Sequence, residues 1–168
     1  MNKVSLQDIV IRSELKAGDI GHVVKLHGLL YNQEYGYGID FESYVAGGLH
    51  EFYKNYNPAR DRVWVAEYKN EIVGFLLLMH RENNSAQLRY FIIQPGFRGI
   101  GLGRKLMDLF FAFYRSCNYQ SAYLLTTAEL HTAAALYARY GFRLTKENPS
   151  SAFGKPAVEQ RYDYPGEY

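Results

Sequence analysis

A chain of 168 residues with 48% hydrophobic and 16% aromatic content has the material for one folded domain, expected over residues 1–168, and lacks the composition of a disordered segment. Its 19 basic and 17 acidic residues leave a net charge of +2, too even a balance for the basic face that nucleic-acid binding needs, so any anion site must be local. The single cysteine, Cys117, excludes an internal disulfide, and the most apolar run, "IVGFLLLM" from Ile72, is too short to cross a bilayer; the expected setting is cytoplasmic, with no membrane partner.

In chain order, "DIVIRSEL" (Asp8 to Leu15) alternates as a strand does, and after the turn "KAGD" the residues Ile20, Val23, Val24, His27 and Leu30 follow at helical spacing behind Asp19 as N-cap. The tyrosine-dense hinge "YNQEYGYG" separates this helix from a second, which begins near Asp40 and ends before Pro58. "RVWVAEY" (Arg62 to Tyr68) and "EIVGFLLLMHR" (Glu71 to Arg81) flank the two-residue connection "KN" and predict a hairpin; "SAQLRYFIIQP" (Ser85 to Pro95) predicts a third strand, closed by proline. Beyond a glycine-rich stretch, Leu106, Phe110, Phe113 and Cys117 mark the buried stripe of a helix. "SAYLLTT" (Ser121 to Thr127) reads as a strand, and "ELHTAAALYARYGF" as an alanine-rich helix stopped at Gly141. "FRLTKE" and "AVEQRYDY" form a closing antiparallel pair joined by the loop "NPSSAFGKP". The order predicts a mixed α/β fold in which strand, glycine loop, helix and strand form a crossover.

The loop itself, "QPGFRGIGLGRKLMDLFF" (Gln94 to Phe111), puts glycines at 99, 101 and 103 between an apolar strand and a helix. Unpaired backbone N–H groups at the positive end of a helix dipole bind anions, and glycines let the anion approach. The dinucleotide fingerprint would need glycine at Arg104, and a P-loop would need lysine and then serine or threonine where Arg104 and Lys105 stand; neither fits. The N–H groups from Arg98 through Gly99, Ile100, Gly101, Leu102 and Gly103 to Arg104 are the expected anion cradle, with charge from Arg98. The five histidines form no cluster with cysteine or carboxylate, so no metal is expected.

"FIIQPGFRGIGLGRKLM" resembles the acyl-CoA-binding motif of the GNAT superfamily of N-acetyltransferases, with Arg98, Gly101 and Gly103 at its defining positions. "AAALYARYGF" is similar to that superfamily's last helix, matching at Ala133, Leu136, Tyr137, Gly141 and Phe142, although Leu130 stands where many members carry asparagine. More narrowly, "HGLLYNQEYGY", "YNPARDRVWVAE" and "SAFGKPAVEQRYDY" resemble the acetyltransferase half of bacterial two-part proteins whose other half is a MarR-like regulator; only the acetyltransferase half is expected in these 168 residues.

The resemblance implies a GNAT-like α/β fold with a mixed, mostly antiparallel sheet flanked by helices, and acetyl-CoA as cosubstrate. It implies that the strand before the loop splays from its neighbour, with Phe91, Ile92 and Ile93 as main-chain partners of the pantetheine and Ile93 N–H polarising the thioester carbonyl. Tyr137 becomes the donor to the leaving sulfur, since a phenol brings no charge into an apolar tunnel. The hinge would overlie the acyl tunnel, so Tyr31, Glu34 and Tyr35, with Tyr37, are the expected acceptor contacts and suit a positively charged amine, either a small molecule or a protein amine. Glu34, Glu67, Glu82 and Glu129 all stay open as general base, a homodimer stays open, and the rival reading is a non-catalytic acyl-CoA-binding sensor of the same fold.

Overall fold

A computed structural model describes residues 4–166. The elements in chain order are β1 (Val10–Arg12), α1 (Asp19–Tyr35), α2 (Ile39–Lys54), β2 (Arg62–Tyr68), β3 (Glu71–Arg81), β4 (Ser85–Ile93), α3 (Leu102–Ser116), β5 (Ser121–Thr127), α4 (His131–Arg139), β6 (Arg143–Ser150) and β7 (Ala157–Tyr164). They build one sheet in the order β1-β2-β3-β4-β5-β7-β6. All neighbours run antiparallel except β4 and β5, which are joined through α3. This is the mixed, mostly antiparallel architecture expected from the sequence.

β2 and β3 read as continuous apolar runs because both of their faces are covered. Trp64, Ala66, Leu76 and Leu78 turn toward Leu106, Phe110 and Phe111 of α3, while Val63, Val65, Phe75 and Leu77 turn toward Val45, Leu49 and Phe52 of α2. The hairpin between them closes through Lys69 and Asn70 at φ 50 and 66, the left-handed pair of a type I′ turn. α1 ends where Gly36, at φ 73, returns its N–H to Asn32 O at 2.9 Å, and the chain can then double back into α2.

The structure departs from the sequence reading at several points. The expected hinge is shorter, because Tyr31 to Tyr35 continue α1 and only residues 36–38 separate it from α2. The first strand is confined to Val10–Arg12, because Asp8 belongs to a 3-10 turn in which its carboxylate accepts from Ser5 N–H at 2.8 Å. Gly18, at φ 94, caps α1, because the Asp19 carboxylate is taken by Arg12. The α3 stripe is broader than predicted: Leu102, Met107, Phe111 and Tyr114 are buried with Leu106 and Phe110, while Phe113 and Cys117 are only half-buried at the rim. β6 runs on through Pro149 to Ser150, which the sheet tolerates because β6 is its outer strand and needs no donor on the open side.

The three-residue β1 is anchored by charge rather than by area. Arg12 donates to both Asp19 oxygens at 2.7 and 2.8 Å and to Glu67 at 2.9 Å, with only 9% of its side chain exposed. Burial alone would raise the Asp19 carboxyl, but the Arg12 and Lys16 N–H donors outweigh it and hold it below the usual carboxylate range. Removing one partner leaves the other charge buried and alone. Arg12→Ala is therefore expected to cost about 3 kcal/mol in denaturant unfolding. In the wild type the Asp19 contribution is present above its unfolded pKa, about 3.9, and is lost as pH falls through the lower folded value; a pH-independent stability below that point would remove Asp19 from the anchor.

Candidate active site

Tyr90 stands at φ 54, and the β3–β4 register slips between Phe75 and Leu77. An extra residue in one strand bends that strand, and β4 leaves β5 at this point. Their parallel ladder runs only from Ser85↔Ser121 to Leu88↔Leu124, whereas β5 stays with β7 as far as Thr127↔Glu159. A wedge therefore opens in the sheet. Gln94 N–H donates to Val73 O at 2.8 Å in a register that pairs Gly74 with Ile93, so alternation turns the N–H and C=O of Ile93 away from β3 and into the wedge. Arg98 Nε reaches that carbonyl at 3.0 Å.

On one side the wedge opens into a groove of about 580 Å³, walled by Phe91 to Ile93, the glycine loop, α4 and the end of α1. That volume lies within the range of small-molecule and cofactor sites. Gly99 and Gly101 take φ 77 and 92, conformations that a side chain would strain. A Cβ on Gly99 would meet nothing within 4 Å, and one on Gly101 only Leu6 at 3.8 Å, so the space above both is open to a ligand. Among the described residues, no acceptor is found for the backbone N–H groups of residues 99 to 104; Lys105 N–H is the first to bond back, to Gly101 O at 3.0 Å. Such a row of free donors at the start of the 15-residue α3 fits a pyrophosphate. Gly103 serves differently: a Cβ there would touch Leu136, Ile93 and Phe91 at 3.4 to 3.6 Å and narrow the floor of the groove.

A smaller cleft of about 120 Å³ opens on the α1/α2 face of the sheet, and Tyr31, Phe91 and Leu130 line both cavities. Tyr137 lines this cleft with 5% of its surface exposed, its ring packed on Phe91 and Phe142 at 6.2 and 6.1 Å between centroids. Burial lifts its phenol well above the usual range, so it is a neutral donor at physiological pH. His27 is buried at 2% exposure, and its Nδ1 lies 2.8 Å from Val23 O. That carbonyl fixes the proton on Nδ1 and leaves Nε2 as a bare lone pair with no partner. Burial pushes the imidazole down to about 4, so it is neutral. Tyr90 Oη is likewise buried and unpartnered, and it fits only because residue 48 of α2 is glycine: a Cβ there would collide with it.

The predicted residues divide between the two cavities. Phe91, Ile92, Ile93, Arg98, Gly99, Gly101, Gly103 and Arg104 all line the groove, while Ile100 and Leu102 hold the loop down by packing on the α3 side of the core. Tyr31 lines both cavities, but Glu34 and Tyr35 line the groove rather than the cleft. Glu34 sits against Arg98, with Oε1 2.7 Å from Nη2, and so is engaged with the cation expected to meet the pyrophosphate. Tyr37 lines the cleft, donates to Glu129 Oε2 at 2.9 Å and accepts from the Thr127 hydroxyl at 2.7 Å; burial pushes its phenol up to about 12. Of the other carboxylates, Glu67 is held by Arg12, Glu82 lies exposed in the β3–β4 turn, and Glu129 borders the groove while bound to Lys155 at 2.7 Å. Leu130 caps α4 without a side-chain bond and presents an apolar wall to both cavities. The sequence reading missed His27, Arg89 and Tyr90. Gln87 and Arg89, polar two apart in an otherwise apolar strand, were the available signal.

A split sheet with a glycine-loop anion cradle at the start of the crossover helix and a cavity on each face of the split defines a GNAT-type acetyltransferase. The sequence matches the family described as the acetyltransferase (GNAT) domain over residues 59–144. YjgM of Escherichia coli K12, an uncharacterized N-acetyltransferase, is 35% identical over 113 residues, which is 65% of this chain and 68% of that protein. A GNAT acetyltransferase of Staphylococcus aureus Mu50 superposes with a TM-score of 0.77 at 24% identity, covering 92% of this chain and 97% of that one. A GNAT acetyltransferase of Elizabethkingia anophelis, solved with acetyl-CoA bound, gives a TM-score of 0.65 at 16% identity over 94% and 98% of the two chains; both likenesses are of fold. The chain belongs to the GNAT acetyltransferase family, and it is an acetyl-CoA-dependent N-acetyltransferase.

Two substitutions test the groove. Gly101→Glu adds bulk and negative charge at the cradle, and calorimetry is expected to show CoA binding at least about tenfold weaker, roughly 1.4 kcal/mol; undiminished affinity in a folded variant places the phosphates elsewhere. Glu34→Gln removes an anion from beside Arg98, and CoA binding is expected to tighten about two- to fivefold at low salt, the scale of a partly exposed ion pair. An unchanged CoA affinity with a raised amine KM would instead return Glu34 to the acceptor.

Proposed function

We propose that the protein transfers the acetyl group of acetyl-CoA to a primary amine by direct attack within a ternary complex, the thioester lying in the groove and the amine in the smaller cleft. The observation that carries this reading is that the two cavities meet at the wedge, where they share Tyr31, Phe91 and Leu130. Ile93 N–H, turned into the wedge, polarises the thioester carbonyl as negative charge develops on its oxygen. The backbone donors of residues 99 to 104 and Arg98 hold the pyrophosphate, and Phe91 and Ile92 flank the pantetheine arm.

Tyr137 stabilises the departing sulfur. A phenol held above its usual pKa beside a thiol that ionises near 8.5 has no drive toward full proton transfer, so it acts as a hydrogen-bond donor to the thiolate. Tyr31 and Tyr37 supply the aromatic wall of the acceptor path, and the attraction of a cation for those faces favours a protonated amine on approach. The acceptor is a small molecule or a protein amine. The narrower likeness to the acetyltransferase half of the two-part MarR-type proteins belongs to this proposal, since the segments that carry it include the hinge and the β6–β7 loop that border the cleft.

Tyr137→Phe keeps the ring and removes only the donor. Turnover, followed as free CoA thiol, is expected to fall about ten- to a thousandfold while CoA affinity stays near wild type. A variant with the wild-type turnover number would assign Tyr137 to packing alone.

A further inference from the structure

Arg89 of β4 is a cation without an anion. Its guanidinium lies on the lining of the smaller cleft and, among the described residues, is the only lysine or arginine there. Its one hydrogen bond to a described residue is donated by Nη2 to Tyr44 Oη at 3.1 Å, and no carboxylate lies within 4 Å. Arg12, Arg98 and Arg161 by contrast each have a carboxylate at 2.7 Å. Two rings hold Arg89 in place, with Cζ 4.7 Å from the centroid of Tyr90 and 5.8 Å from that of Tyr44. A fork of five donors that is oriented, half-buried and largely unused is built to take an acceptor it does not yet have, and a carboxylate is its best geometric match.

The opposite polarity faces it across the same ring. His27 packs edge-on to Tyr90 at 5.8 Å, and its Nε2 is a lone pair with no donor, nine-tenths and more buried on the cleft wall. An unpaired cation and an unpaired acceptor, both against Tyr90, complement a molecule that carries a carboxylate and an amine a few bonds apart. The cleft is small, about 120 Å³, far below the 300–1,000 Å³ of sites that enclose drug-sized ligands. Arg89 also lies two residues before Phe91, so roughly 7 Å of strand separates the cation from the wedge.

We propose that the acceptor is a small amino acid, its carboxylate held by Arg89 and its amine presented to the thioester beside His27 Nε2. This rests on the N-acetyltransferase reading and narrows its acceptor. The other charges near the site are compatible with that polarity. Glu159 also lines the cleft and Glu51 of α2 is near Tyr90, but neither brings a carboxylate oxygen within 4 Å of the Arg89 guanidinium. Gln87 is buried with its oxygen already accepting from Arg81 at 2.8 Å, so it does not compete for the guanidinium.

The test is thiol release from acetyl-CoA with free L-amino acids, the matching amino-acid amides, the matching decarboxylated amines, and short peptides with free N-termini. Amino acids are expected to exceed their own amides by at least about tenfold in kcat/KM. Arg89→Gln is expected to collapse that ratio by at least about tenfold through KM, and Arg89→Lys to restore part of it; CoA calorimetry and a thermal melt establish that each variant is folded. Equal turnover of acids and amides by the wild type, better turnover of peptides than of free amino acids, or a ratio that Arg89→Gln leaves intact overturns the inference while the acetyltransferase reading stands. No thiol release with any amine would overturn both.

Discussion

The separation of β4 from β5 is the constraint on which the rest of the site depends. Strands held by a full ladder leave no room between them, because neighbours lie under 5 Å apart along the hydrogen bonds. Here the ladder stops at Leu88↔Leu124, where the bulge at Tyr90 turns β4 aside, and each strand keeps its other partner. The sheet therefore stays one sheet while exposing an edge in its own interior. That edge is chemically useful because its groups are fixed in direction: the Ile93 carbonyl is taken by Arg98, while its N–H faces the wedge, and Ile93 owes its position in the site to this.

Charge is handled locally on a chain that is nearly neutral overall. Free backbone donors at the start of α3 create a positive patch without adding a single formal charge, and Arg98 reinforces it while neutralised by Glu34. The groove thus draws a phosphorylated ligand by close-range backbone donors rather than by formal charge. On the opposite side of the sheet the same economy is absent: His27, Tyr90 and Arg89 are left with unmet bonding capacity in an enclosed space. One cavity is satisfied by geometry that the fold supplies, and the other awaits the chemistry of its occupant.

What the sequence made legible follows from range. β2, β3, β5 and β7 were read at their observed ends, because alternation and the "KN" turn are local signals. The glycine loop and Tyr137 were legible because each motif is continuous in the chain. The acceptor side was not. Tyr31, Glu34 and Tyr35 look like one cluster in the hinge, yet helical geometry sends Glu34 toward Arg98, which is distant in sequence, and leaves Tyr31 at the junction of the cavities. The smaller cleft is assembled from α1, α2, β4, β5, α4, the β6–β7 loop and β7, and no window of the sequence contains it. The bulge that creates it leaves no local mark either: Tyr90 is an ordinary strand residue by type, in a conformation that only the surrounding packing imposes.

Gly48 gives the cleft a second author. It lies within α2, where glycine weakens a helix by about 1 kcal/mol relative to alanine, and its φ is unremarkable; what it provides is vacancy beneath Tyr90 Oη. The Tyr90 ring in turn carries Arg89 on one side and meets His27 on the other. A single methyl group added on a helix that contributes no backbone to the chemistry would lift the phenol and with it both polar groups. The dimensions of the acceptor chamber are thus governed from behind its wall, and descendants of this protein could retune what they accept by changing a residue that never meets the substrate.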